Sequence, residues 1–135
     1  MRFVLFFYCS ERKEVISLQI ITNNPLVVKK FEGRCRVVYY DVSFRDLLVR
    51  VRDMIHLGYE LLSHPLSGSV KPNETPYKSI LVSDKPGKLN PESVKLIEES
   101  IITTDKFPIK FPQMPKDIRD DFQLIDCTLI QSVFQ

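Results

Sequence analysis

Residues 15–25 read Val15-Ile16-Ser17-Leu18-Gln19-Ile20-Ile21-Thr22-Asn23-Asn24-Pro25, and the fold class follows from them. Val15 to Ile21 is mostly apolar and β-branched, with the short length of a buried strand. Thr22-Asn23-Asn24-Pro25 stops that strand as a turn cluster. The same residues can start a helix, because Asn24 is a good N-cap and Pro25 suits the first helical position. The helix runs to about Phe31 and Gly33 closes it. Cys35 to Tyr40 is the next strand, so the chain opens as strand, helix, strand, the pattern of a parallel pair with a helical crossover.

The clearest helix lies beyond it. Ser43 and Asp46 form a variant capping pair, and Phe44, Leu47, Leu48, Val51 and Ile55 recur at i, i+3, i+4, i+7 and i+11. Gly58 stands where a C-terminal glycine belongs. Tyr59–Ser63 is expected as a third strand and Tyr77–Val82 as a fourth. Asp84-Lys85-Pro86-Gly87 turns the chain, and Asn90-Pro91 begins a helix to about Thr104 carrying Val94, Ile97 and Ile101. A Pro-rich connection, Pro108 to Pro115, precedes a last helix whose Ile118, Phe122, Ile125, Leu129 and Val133 share one stripe. Asp117, Asp120 and Asp121 sit in its first turn, where carboxylates favour the positive helix end. The stripe has two readings: packing on its own sheet, or packing on a symmetry mate in a homodimer.

The expected architecture is a single α/β domain over residues 15–135, with residues 1–14 as an N-terminal extension. Its sheet is expected to be mostly parallel, of about four strands flanked by helices, with the first three strands parallel. Ligands of such sheets gather beyond the C-terminal strand ends. Thr22-Asn23-Asn24 and the segment from His64 onward would both lie there.

The chain has 135 residues, one domain by length and large enough for a hydrophobic core. A formal net charge of +2 is too small to point to nucleic acid or a membrane surface. The apolar run Phe3–Tyr8 is too short for a signal peptide or a membrane span. Three widely spaced cysteines, Cys9, Cys35 and Cys127, with no CxxC, fit a reducing cytoplasm and read as small buried apolar residues. His56 and His64 without a cysteine pair do not make a zinc site, and no metal is expected.

The polar, Gly/Pro-punctuated segment His64–Thr75 is the candidate site. Loops of that length without secondary structure are often functional. Ser67-Gly68-Ser69 can form an anion-binding nest, with Lys71 adding positive charge; a plain turn is the competing reading. Neither GxxxxGK[ST] nor GxGxxG is present, and no cofactor signature is legible. Ser67 or Ser69 as a nucleophile lacks the GxSxG elbow, and His64 alone does not make a triad. His64 can contact a ligand or serve as a hydrogen-bonded structural residue. Glu74 and Lys78 are expected to pair and brace the loop. The candidate binding residues are thus Asn23, Asn24, His64, Ser67, Gly68, Ser69, Lys71, Asn73 and Glu74.

The segment His64-Pro65-Leu66-Ser67-Gly68-Ser69-Val70-Lys71-Pro72-Asn73-Glu74-Thr75-Pro76-Tyr77-Lys78-Ser79, with Ile20–Pro25, Val51-Arg52-Asp53 and Gly58, resembles the GrdX family. The resemblance covers roughly positions 16 to 104. That family comprises small proteins associated with the glycine, sarcosine and betaine reductase systems of anaerobic amino-acid-fermenting bacteria. The resemblance implies a metabolic context, and it carries over no site residues. The chain has neither Sec nor CxxC, so it does not resemble the catalytic components of those systems.

These readings converge on an accessory protein that binds a small anionic metabolite or a glycine reductase component through residues 64–78, with the balance against an enzyme but the question open. Two alternatives stay open. One is an enzyme acting on a small phosphorylated or carboxylated metabolite through His64, Ser67 or Ser69, and Lys71. The other is a structural assembly protein.

Overall fold

The structure, a computed structural model, describes residues 6–9, 14–68, 70–110 and 113–133. Its elements in chain order are β1 (Phe6–Cys9), β2 (Glu14–Thr22), α1 (Pro25–Phe31), β3 (Arg36–Tyr39), α2 (Phe44–His56), β4 (Ser79–Ser83), α3 (Pro91–Asp105) and α4 (Lys116–Ser132). Ser69 and most of the expected N-terminal extension lie outside the described residues.

Three strands form the central mixed sheet, in the order β3-β2-β4. β2 pairs parallel with β3, from Gln19 opposite Arg36 to Thr22 opposite Tyr39. On its other side β2 pairs antiparallel with β4, from Leu18 opposite Ser83 to Thr22 opposite Ser79. β1 adds to this sheet by pairing antiparallel with residues 14–17 of β2.

The mostly parallel, four-stranded expectation is therefore corrected, and the connections explain why. A parallel neighbour needs a crossover that carries the chain back along the sheet. α1 supplies one between β2 and β3. The segment between residue 63 and β4 contains no helix, so the chain returns directly and β4 enters antiparallel. Residues 59–63 run beside β4, but they make only an isolated bridge, Leu61 to Val82. Serine hydroxyls occupy the positions a ladder would use: Glu60 N–H donates to Ser83 Oγ, Leu61 N–H to Ser93 Oγ, and Leu81 N–H to Ser63 Oγ. Two backbone bonds remain, Leu62 N–H to Leu81 O and Ser83 N–H to Glu60 O.

The helices follow their sequence signals. Asn24, Ser43 and Asn90 each accept a backbone N–H as N-caps, and Pro opens α1 and α3. Gly58, at φ 104°, ends the α2 turn. A Cβ there would collide with the Gly87 carbonyl, so only glycine fits.

Side chains alternate across the strands and build two cores. Ile21, Ile80 and Val82 meet Phe44, Leu47, Leu48, Val51 and Ile55 of α2 and Ile97 and Ile101 of α3. On the opposite face Leu18, Ile20 and Leu81 meet Val27 and Phe31 of α1 and Cys127 and Ile130 of α4. The protein is thus a three-layer helix–sheet–helix sandwich. Cys35 and Cys127 are buried in this second core.

α4 corrects a second expectation. Its buried residues are Asp126, Cys127 and Ile130, not the 118/122/125/129/133 stripe. Ile118, Ile125, Leu129 and Val133 are 42%, 40%, 36% and 39% exposed. The helix is rotated so that a carboxylate faces the sheet, and the reason lies at the sheet edge.

Candidate functional site

β2 and β3 end, and β4 begins, on one edge of the sheet. Thr22, Asn23 and Asn24 leave β2 there, and Lys78 and Ser79 lead into β4. Thr22 and Ser79 are cross-strand neighbours on the α4 face, with hydroxyl oxygens 2.7 Å apart. Ser79 Oγ donates to Asp126 Oδ2 at 2.7 Å, and Ser79 N–H donates to Asp126 Oδ1 at 3.1 Å. Asn24 Nδ2 completes the set, donating to Asp126 Oδ2 at 3.0 Å and to Gln123 O at 2.9 Å.

The donors impose a direction on this network. Because the Ser79 proton is committed to Asp126, the Thr22 hydroxyl donates to Ser79, while Thr22 Oγ1 accepts Asn24 N–H at 2.9 Å. The chain runs from the Asn24 amide through Thr22 and Ser79 to the carboxylate, and such chains strengthen each member. Asp126 is only 5% exposed. Burial raises its carboxyl above the ordinary value, and the Asn24 and Ser79 donors and the Lys78 charge oppose that rise. Three donors and no acceptor meet its oxygens, which suits the carboxylate.

Asn23 closes the edge. Its Nδ2 donates to Val42 O at 3.0 Å and Pro76 O at 2.8 Å, and its Oδ1 accepts Lys78 N–H at 2.8 Å. One amide thereby joins the end of β2, the start of α2 and the entry to β4.

Lys78 is 7% exposed. Its Nζ donates to the Ser67 carbonyl at 2.7 Å, tying the loop to the sheet edge. Burial lowers its pKa, and Asp126 opposes the shift. Among the described residues this is the ammonium's one hydrogen-bond acceptor, although an ammonium carries three donors. Lys78 and Asp126 line a shallow, solvent-open cleft. Leu66, Phe122, Ile125 and Leu129 form its apolar wall, and Ser67 and Gly68 form its loop side. Tyr77 borders it too, its hydroxyl accepting from Gln123 Nε2 at 3.0 Å.

The residues expected at the site divide into groups. Ser67 and Gly68 line the cleft. Gly68 has φ 119°, and a Cβ there would come 2.8 Å from Leu129 Cδ1, so the glycine lets the loop lie against α4. Asn23 and Asn24 are buried in the network just described. His64 is exposed, and its Nδ1 accepts Leu66 N–H at 3.0 Å, which shapes the turn. Asn73, at φ 66°, donates to Thr104 O at 3.1 Å and Phe107 O at 2.6 Å, binding the loop to the end of α3. Glu74 pairs with Lys110 at 2.9 Å, not with Lys78 as expected, and that hydrogen bond holds its carboxyl below the ordinary value. Asn73 and Glu74 line a second hollow with Ile109 and Met114, so the expected residues do not share one pocket. Lys71 is exposed, between the lining residues Val70 and Pro72. No hydrogen bond among the described residues joins the His64 ring to the Ser67 hydroxyl.

Asp126 was not singled out from sequence, and Lys78 was expected only as the partner of Glu74. The signal was a charge at a core phase: Asp126 precedes Cys127 and lies four residues before Ile130. Lys78 likewise sits immediately before the fully buried strand Ser79–Ser83.

The fold and this edge define a small three-layer α/β protein whose loop covers a cleft lined by a buried lysine and a buried aspartate. The GrdX-like protein family matches residues 19–135, and the chain belongs to that family. The match continues past α3 through α4, beyond the span of the motifs in the sequence. No curated protein and no solved structure matches the chain. Among the described residues, no helix is long and apolar enough to cross a membrane.

Proposed function

We propose that this GrdX-like protein is an accessory of glycine reductase-type systems that binds a small anionic ligand in the cleft under residues 64–78. One observation carries the reading: the Lys78 ammonium is buried at the cleft with a single acceptor among the described residues. Burying a charge with unmatched donors is costly, and a ligand oxygen that fills them recovers that cost. Ser67 and Gly68 form the loop wall. Lys71 adds an exposed positive charge at the mouth, and His64, Asn73 and Glu74 hold the loop's shape. Asn23 and Asn24 position Lys78 and Asp126. Family membership supports the metabolic context.

The test is a calorimetric titration of the full chain with a panel of small carboxylates and phosphates. Lys78→Met is expected to weaken binding by about 1.5–3 kcal/mol, the scale of a hydrogen bond to a charged group. Lys71→Ala is expected to lose less, about 0–1 kcal/mol, because exposed charges are screened. If no anion binds the wild type, the ligand reading fails.

A second reading has a specific observation behind it. Ile125 and Leu129 of the cleft wall are partly exposed, as are Ile118, Leu124 and Val133 of the same helix, and such a surface suits another protein chain. A reductase component is the occupant in this reading, and a second copy of the chain is its competitor. Sedimentation of the protein alone and mixed with purified reductase components separates them. Leu124→Asp is expected to abolish any complex while leaving the fold intact.

A further inference from the structure

We propose that the cleft takes a monocarboxylate with a short apolar tail, in preference to a phosphate. This rests on the reading of the cleft as an anion site and names the anion's class.

Three features of the cleft point the same way. The first is the donor count. Among the described residues Lys78 gives one of its three N–H bonds, to Ser67 O, which leaves two, and a single carboxylate accepts two. Ser67 N–H is already donated to His64 O, which removes one of the amides a phosphate nest at this loop would use.

The second is charge. Lys78 and Asp126 are the only ionisable side chains of the acid and base types among the described residues lining the cleft. Their charges nearly cancel, so the site has little excess positive charge to offer. One ligand charge set against the ammonium is tolerable, but a phosphate near −2 would face the Asp126 carboxylate with no second cation among the described lining residues, Lys71 standing exposed outside the lining. Asp126 is itself buried, so that repulsion is screened less than it would be between exposed charges.

The third is the wall. Leu66, Phe122, Ile125 and Leu129 give an apolar surface that a phosphate cannot use and an alkyl tail can cover. Ile125 and Leu129 are among the exposed residues of α4, and a bound tail would remove them from water.

The experiment is a titration of the full wild-type chain at neutral pH with acetate, butyrate, hexanoate and inorganic phosphate. Affinity is expected to rise about fourfold for each methylene that contacts the wall, and phosphate is expected to bind at least tenfold more weakly than butyrate. Lys78→Met, checked for folding by its melting transition, is expected to weaken butyrate by tenfold or more. The wild-type series stands alone if that variant does not fold. A flat chain-length series, or phosphate tighter than butyrate, overturns the monocarboxylate assignment while leaving the anion site in place. No binding by any of the four overturns both.

Discussion

The two faces of the sheet are held by different physics. Toward α2 and α3 the contacts are apolar side chains from β2, β4 and both helices, and each fully buried one follows the strand or helix period. Toward α4 the apolar patch of Leu18, Ile20, Leu81, Cys127 and Ile130 stops short of the strand ends. There Thr22, Ser79 and Asn24 converge on Asp126. The apolar face is non-directional and tolerates exchange among similar volumes. The polar face is directional, so each member depends on the others. A cleft with a buried ammonium stands only at the polar end, where the apolar filling gives way.

The largest expected effect breaks the polar face. Asp126→Ala strands three donors in a buried site and is expected to destabilise the fold by about 3–5 kcal/mol in urea denaturation. Asp126→Asn retains one carbonyl acceptor and should lose distinctly less. A loss below that of an ordinary surface substitution would mean that Asp126 does not organise this edge.

Next comes the apolar face. Leu48→Ala removes a fully buried side chain and is expected to cost about 2–4 kcal/mol through lost burial and a cavity. The denaturant slope should not change, since the cooperative unit remains whole. Combined with Asp126→Ala, its effect should be close to additive, because the two sit on opposite sides of the sheet.

A smaller effect sharpens the comparison through pH. The folded state lowers the Lys78 pKa, so Lys78 contributes stability present above its ordinary value of 10.5 and lost as pH falls through the folded value. Wild type should therefore gain stability relative to Lys78→Met as pH is raised toward 10.5. Asp126 behaves as the acid counterpart. Its folded pKa is raised, so its contribution is present below 3.8 and lost as pH rises through the folded value. Parallel pH curves for wild type and Lys78→Met would show that the ammonium is not desolvated.

The smallest effect lies outside both faces. Leu124 is 57% exposed, and Leu124→Ser is expected to change stability by no more than about 0.5 kcal/mol. A larger loss would place the exposed side of α4 in a packed interface.

Much of this was legible locally. The α1, α2 and α3 caps at Asn24, Ser43 and Asn90, the Pro25 and Pro91 starts and the α2 stripe are short-range signals, because a helix satisfies its backbone within itself. The His64–Lys78 segment was legible as a candidate site by its length and its turn residues. Its anchoring was not. Asn73 reaches the end of α3, Glu74 reaches Lys110, and Lys78 reaches Ser67, and none of these pairings is a sequence neighbour on a regular period.

By itself the amino-acid sequence determined the βα opening, the helix bounds, the α/β class and the loop that frames the cleft. These rest on periodicity, capping and turn chemistry within a few residues of one another. Tertiary structure alone decided the direction of β4, the reduction of residues 59–63 to a single bridge and the rotation of α4. A strand's direction depends on whether its connection crosses the sheet. Bridge formation depended on Ser63, Ser83 and Ser93 taking over ladder hydrogen bonds from across the chain. The face that α4 turns inward was settled by partners 47 and 102 residues away, Ser79 and Asn24, whose donors hold Asp126 at the sheet edge. An apolar stripe reports only its own periodicity, whereas a buried carboxylate goes where its donors are.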